Sequence, residues 1–450
     1  MVAGLCSCTK YLDIKPYGQT IPQTAEEFSA IIHDYINDID YGEETIIGSI
    51  MSVCELEAYA DNLEPLLQDA QTGRLIPLYI GDDLSGKQTR YIKLYEAIRD
   101  CNIIIGYLED RDSELGRNVL GTAHAIRGVC YYNLLRDFCD PCVNNGNGPG
   151  VPIVTEFDME ARPARSTIAQ TVKQAENDML TAISYDISDE IYRFNSDVIR
   201  GYLARLYFWA GNWPSAAEYA RDVLDSYPLL NGAAYTEMMG SETARRGNIL
   251  IKGGIINSSA TGTDNDVMKR YLSGRPVSRQ FVELFDAEKE NDIRYTMSFD
   301  SKRIFKKNVF SCLRSAEMQL ILAESLYHQG NTEDALSALN ELRRNRIAGA
   351  ADYTAETLPE VNGNDIIRQD ACGKPLTPLI YAILCERRKE LFMEGDRWYE
   401  LKRNGRPERW AVRGNLKYTT FSYMYTFPLP IDDVELVEGL VQNPGYENVR

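Results

Sequence analysis

Two adjacent arginines on the apolar stripe of a helix are the feature that most constrains this chain. Between Cys385 and Gly405 it reads C-E-R-R-K-E-L-F-M-E-G-D-R-W-Y-E-L-K-R-N-G. Counting back to Thr377, apolar side chains fall at Ile380, Ile383, Leu384, Leu391 and Phe392. That helical spacing turns Arg387 and Arg388 to the side of Leu384 and Leu391. A guanidinium facing a core is costly unless a carboxylate meets it, so the stretch must be a junction with distant parts of the chain. Glu390 and Glu394 lie within reach along the helix. Ala316 to Arg346 forms the strongest helical hairpin and places Glu317 and Glu324 on one face. These residues predict a structural ion-pair cluster of Glu317, Glu324, Arg387, Arg388 and Glu394, in which the two hairpin carboxylates neutralise Arg387 and Arg388.

Helical spacing recurs along the chain. Gln23 to Ile36 is amphipathic with Thr24 as its N-cap, and Tyr91 to Leu108 and Gly121 to Phe138 form a further pair. Thr167 to Ile183 and Ser196 to Ala210 follow. Ala204, Tyr207, Gly211, Asn212 and Ala216 return as Ala323, Tyr327, Gly330, Asn331 and Ala335, with the tyrosine slipped by one position. In a helix hairpin the glycine ends the first helix, the polar residue turns the chain and the small alanine lets the second helix approach, as in tetratricopeptide units. Two segments break the period, near 42–90 and 229–279, the second with a short strand expected within Ile249 to Asn257. Loops carried on a helical scaffold are where binding residues concentrate.

Composition narrows the function. A formal charge of −18 disfavours nucleic acid and anionic membrane surfaces as main partners but suits a neutral ligand. The chain has 28 tyrosines, whose flat face and hydroxyl suit sugar rings, although most serve to pack helices. With only His33, His124 and His328, and no H-E-x-x-H, G-x-S-x-G or Walker loop, no catalytic constellation is visible. Asp264-Asn265-Asp266 begins like a calcium loop, but Met268 breaks the alternation, and Cys139-Asp-Pro-Cys142 lacks the second pair a zinc site needs. Those two cysteines are either free thiols in a turn or a local disulfide. No cofactor or metal is expected.

The N-terminus, M-V-A-G-L-C-S-C, fits the end of a bacterial lipoprotein signal, with Cys8 the residue to be lipidated. Residues 1–8 are then a signal remnant, 9–22 a tether and 23–450 a single body. Several phrases carry a family resemblance: Y-L-D-I-K-P after Cys8, Ala125-Ile126-Arg127, V-P-I-V at Val151 to Val154, E-R-R-K-E-L at Glu386 to Leu391, and Q-N-P-G-Y ending at Tyr446. In this order they resemble the SusD/RagB family of nutrient-binding outer-membrane lipoproteins. Cys139 stands where the family usually has glycine, and the asparagine usual before the final motif is replaced by Val437-Glu438-Gly439.

The resemblance implies a mostly α SusD-like fold, built from tetratricopeptide-type hairpins with loop-rich insertions and a few short strands. It also implies a non-enzymatic surface lipoprotein, facing outward from the outer membrane, that captures an oligosaccharide and delivers it to a SusC-like TonB-dependent transporter. By residue type within the two irregular segments, Tyr59, Asp61, Asn62, Tyr79, Tyr271 and Arg275 are the candidate ligand contacts. The alternative that the helical pattern leaves open is an intracellular tetratricopeptide-type scaffold that binds peptides.

Overall fold

A computed structural model describes residues 22–41, 46–64, 80–82, 84, 86–241, 249–253, 271–272, 274–413 and 416–447. Cys8, most of the tether, Tyr79 and the Asp264-Asn265-Asp266 segment lie outside the described residues. The described chain is mostly helical. In order it forms α1 (Ala25–Tyr41), α2 (Ile50–Tyr59), α3 (Lys87–Tyr107), α4 (Glu114–Phe138), α5 (Ile168–Ser184), α6 (Ser196–Ala210), α7 (Trp213–Ser226) and α8 (Gly232–Gly240). Strand β1 (Ile249–Lys252) comes next, followed by the short α9 (Arg279–Glu283) and α10 (Ile293–Ser298). After β2 (Cys312–Arg314) come α11 (Ser315–His328), α12 (Thr332–Arg344), α13 (Pro378–Glu390) and α14 (Asp396–Arg403). The chain closes with β3 (Arg409–Arg413), β4 (Leu416–Thr420) and α15 (Ile431–Leu436). Strands β1 and β2 pair antiparallel, as do β3 and β4.

Local chemistry sets the helix ends. Thr167 and Gln170 form a reciprocal capping box at the start of α5. Pro378 occupies the first turn of α13 behind Thr377, whose hydroxyl accepts from the Ile380 N–H. Gly211 and Gly330 close α6 and α11 with φ of +77° and +83°, the left-handed conformation glycine adopts without strain. The two glycines identified by the internal repeat thus do the same work. Helices α6 and α7 form one hairpin, α11 and α12 the other, and α11 packs on α7 so that the hairpins stack.

The main apolar core is continuous from Ala25 to Leu440. At the seam between α4 and α5, a Cβ on Gly128 would stand 2.9 Å from Met179 Cγ and 3.1 Å from the Ala175 carbonyl oxygen. Two expectations need revision. Segment 42–90 contains a full helix, α2, which is buried nearly all round and therefore shows no amphipathic stripe. The first helix runs on to Tyr41. Of the two readings left open for Cys139 and Cys142, the structure has free thiols, both buried.

The α4–α5 seam gives a direct test of packing. Gly128→Val adds atoms where neither α5 backbone nor Met179 has room, and unfolding free energy should fall by about 2 kcal/mol, read from urea titration.

Candidate functional site

The charged residues of α13 and the turn after it form a buried clasp. Glu390 accepts from Arg314 Nη1 at 2.6 Å, from Arg346 Nε at 2.9 Å and from Arg294 Nη1 at 3.3 Å. Glu386 meets Arg294 at 2.7 Å, and Glu394 meets Lys307 at 2.7 Å and Arg314 at 2.9 Å. Guanidinium groups hold Glu390 well below the usual carboxylate range despite its burial. The five residues expected to pair with one another are held mainly by other partners. Arg387 pairs with Asp396 at 2.5 Å and has Glu317 only at 3.9 Å, while Glu317 is held by Arg205 at 2.5 Å. Glu324 pairs with Arg403 at 2.7 Å. Arg388 reaches across to Asp61 at 3.1 Å and Asn62 Oδ1 at 2.9 Å. The turn at Gly395, with φ of +75°, folds α14 back and supplies the nearer acid, Asp396, to Arg387.

That contact leads to the place where the two irregular segments meet. The Glu64 N–H donates to the Pro276 carbonyl, the Ser278 N–H donates to the Asn62 carbonyl, and Leu63 bridges Val277. Five of the six sequence-selected ligand residues gather here, and all five point inward. The Tyr59 ring is 1% exposed and meets Tyr271 edge-on at 6.4 Å. The Tyr271 hydroxyl donates to Glu55 Oε1 at 3.0 Å. Arg275 donates to the carbonyls of Glu64, Ala58 and Tyr271, and burial beside Arg409 pushes its pKa down to about 9. Asp61 holds Arg397 through both oxygens, at 2.7 and 2.9 Å. Asn62 donates to Glu57. The groups a sugar would need are already engaged, so these residues form the floor beneath a surface rather than the surface itself.

The surface is the β3–β4 hairpin. Arg409 Nη1 ties it to the floor through the Tyr59 carbonyl at 2.7 Å, and Tyr425, stacked on Trp398 at 4.5 Å, donates to the Pro407 carbonyl at its base. Cross-strand pairing sets Trp410 opposite Thr419 and Ala411 opposite Tyr418. The inward face carries the buried Thr420, leaving Trp410 outward and 62% exposed, with Lys417 Nζ 5.2 Å above its ring. Two residues beyond Trp410's partner, Phe421 is 42% exposed and lies nearly parallel to Tyr423, 8° between planes. An exposed indole beside stacked rings offers flat apolar faces with polar edges, the chemistry that receives a sugar's C–H face. Sequence reasoning passed over this element although it carried a signal: Gly414-Asn415 between W-A-V-R and L-K-Y-T-T is a two-residue hairpin pattern.

Comparison with known proteins follows the same outline. A family profile described as "Starch-binding associating with outer membrane" matches residues 10–208, one described as "SusD family" matches 295–412, and a tetratricopeptide-repeat profile matches 202–229. No curated protein sequence matches the chain. Among solved structures, a SusD superfamily protein from Bacteroides thetaiotaomicron superposes with a TM-score of 0.69 at 19% identity, covering 94% of this chain and 100% of that one. A SusD-like carbohydrate-binding protein from Bacteroides vulgatus gives 0.67 at 17%, covering 93% and 98%. A laminarin-binding SusD-like protein gives 0.58 at 17%, covering 94% and 99%.

The floor has a pH signature of its own. Glu57 accepts from the Gly395 N–H at 3.0 Å, yet burial raises its carboxyl from the ordinary 4.5 to about 7. The folded state therefore holds this proton more tightly than the unfolded chain does. Its contribution is complete below the unfolded pKa and is lost as pH rises through about 7, an effect of about 3 kcal/mol. Glu57→Gln should remove that part of the stability loss between about pH 5 and about pH 8, measured as paired urea midpoints; equal slopes in both proteins would refute the assignment.

Proposed function

The chain belongs to the SusD family, and from that premise we propose that it is a cell-surface lipoprotein that binds a glycan and hands it uncleaved to a SusC-like TonB-dependent transporter. The observation that carries this reading is the exposed Trp410 ledge, mounted on a buried ionic clasp beside the junction of the two irregular segments. The starch-binding profile and the laminarin-binding relative place carbohydrate recognition among proteins of this fold. An oligosaccharide would stack on Trp410 and Phe421, while Lys417 and the edge of Tyr423 offer hydrogen bonds to its hydroxyls.

The protein is a binding protein rather than an enzyme. The family is non-catalytic, and the three histidines serve packing and pairing. His33 lies against Tyr192, His124 bonds Asp178, and His328 stacks on Trp213 at 4.3 Å. Among the described residues no group of three His, Cys, Asp or Glu side chains is arranged to hold a metal. We read the α6–α7 and α11–α12 hairpins as tetratricopeptide units, the first overlapping the profile match that begins at residue 202, and assign their side of the body to the transporter.

Among the described residues no helix is long and apolar enough to cross a membrane. In this reading, attachment to the outer membrane comes from lipid on Cys8, with residues 9–22 as the tether and 23–450 as one body. Retention on a polysaccharide affinity gel tests the ledge. Trp410→Ala should weaken binding about tenfold, ~1.4 kcal/mol, with an unchanged melting curve, because the indole is mostly in solvent. Unchanged retention would move the glycan elsewhere. Cys8→Ser in the full precursor should shift the protein from the membrane fraction to the soluble one.

A further inference from the structure

A polar concavity lies between α2, α3, α4, α6, α13 and α14, with a volume of about 70 Å³. Its walls bring together five guanidiniums, those of Arg90, Arg136, Arg205, Arg387 and Arg403. Four have a carboxylate each: Asp137 for Arg90, Glu317 for Arg205, Asp396 for Arg387 and Glu324 for Arg403. The remaining wall acids, Glu394 and Glu400, are held by Arg314 and Arg397. Arg136 is different. Among the described residues no carboxylate contacts it; its guanidinium donates to Asn133 Oδ1 at 3.2 Å and lies 3.8 Å over the Tyr399 ring.

The hydrogen-bond account has the same sign as the charge account. Arg136 Nε, Trp209 Nε1, Arg387 Nη1 and both terminal nitrogens of Arg403 are buried N–H groups without a hydrogen-bond acceptor, against Glu400 Oε1 on the same walls and the two Glu324 oxygens behind Arg403. Arg387 and Arg403 are each only 5% exposed, and both lie over the Phe208 ring, at 5.4 and 4.0 Å. Buried donors of this strength call for an acceptor, and a guanidinium that no carboxylate contacts favours a charged one.

We propose that this cleft is a binding site for one small inorganic anion, which joins Arg136 of α4 to Arg387 of α13 and Arg403 of α14. The volume suits a halide with a water or two and excludes a sugar or a large organic anion. An anion that binds only the folded chain stabilises it in proportion to the logarithm of its concentration once the site saturates.

The test is the melting midpoint at constant ionic strength as sodium gluconate is exchanged for sodium chloride. The midpoint of the parent protein should climb with chloride, and Arg136→Gln should flatten that climb. Arg136→Lys keeps the charge but loses the lateral N–H; it should retain a response reduced about threefold and serves as the decisive variant if Arg136→Gln does not fold. Equal midpoints in chloride and gluconate, or a chloride response undiminished in the variant that folds, would overturn the proposal.

Discussion

Glu390 is the interaction on which the rest of the body depends. Its carboxylate, fully buried, accepts from three arginines that arrive on separate elements: Arg294 on α10, Arg314 at the end of β2 and Arg346 beyond α12. Burying so many charges costs several kilocalories per ion before any attraction is counted, and the cost is offset only when geometry and hydrogen bonds are complete. Here they nearly are, because Glu386, one helical turn earlier, and Glu394, in the turn that follows the helix, take up the other faces of Arg294 and Arg314. Loss of a single carboxylate from such a site leaves uncompensated guanidiniums in the core, typically worth about 3–5 kcal/mol. The clasp sets relative placement more than it adds net stability, since elements distant in sequence can meet Glu390 in only one arrangement.

The same logic explains why the floor of the site is so polar. Where α2 ends and the irregular segments cross, backbone carbonyls need donors, which Arg275 supplies, while Asn62 and Asp61 hold the buried side chains of Glu57 and Arg397. The hairpin above inherits its position from that floor through Arg409. An exposed aromatic surface is useful for recognition only if its orientation is fixed, and here the fixing is done by residues that never face solvent.

Much of this was legible in the sequence. The helices, the two glycine-closed hairpins and the demand for buried partners at Arg387 and Arg388 all follow from spacing and residue type. What failed was pairing. Periodicity puts Glu324 on the correct face of α11 but cannot show that Arg403, rather than Arg388, arrives opposite it, because that depends on the left-handed turn at Gly395. Five of the ligand candidates turn inward for a related reason. Tyr, Asp, Asn and Arg in an irregular stretch are as apt to satisfy buried backbone as to meet a ligand, and composition cannot separate the two uses. Helix α2 escaped notice because Glu55 and Glu57 are buried beside Leu56 and Tyr59, which erases the polar face that marks a surface helix.

The stacking of α7 on α11 has a consequence for how the chain acquires its shape. The two hairpins are neighbours in space but are separated in sequence by α8, both short helices and the β1–β2 pair. Ala216, Ala217, Ala220 and Val223 of α7 are therefore synthesised long before the surface of α11 that covers part of that helix. Contacts of such separation carry a large loop-closure entropy and form late. Until Ser315–His328 is available, the first hairpin presents an uncovered face to anything nearby, so the C-terminal third governs the solubility of what precedes it. Truncation ahead of α11 would thus yield an adhesive fragment, not a smaller version of the same body.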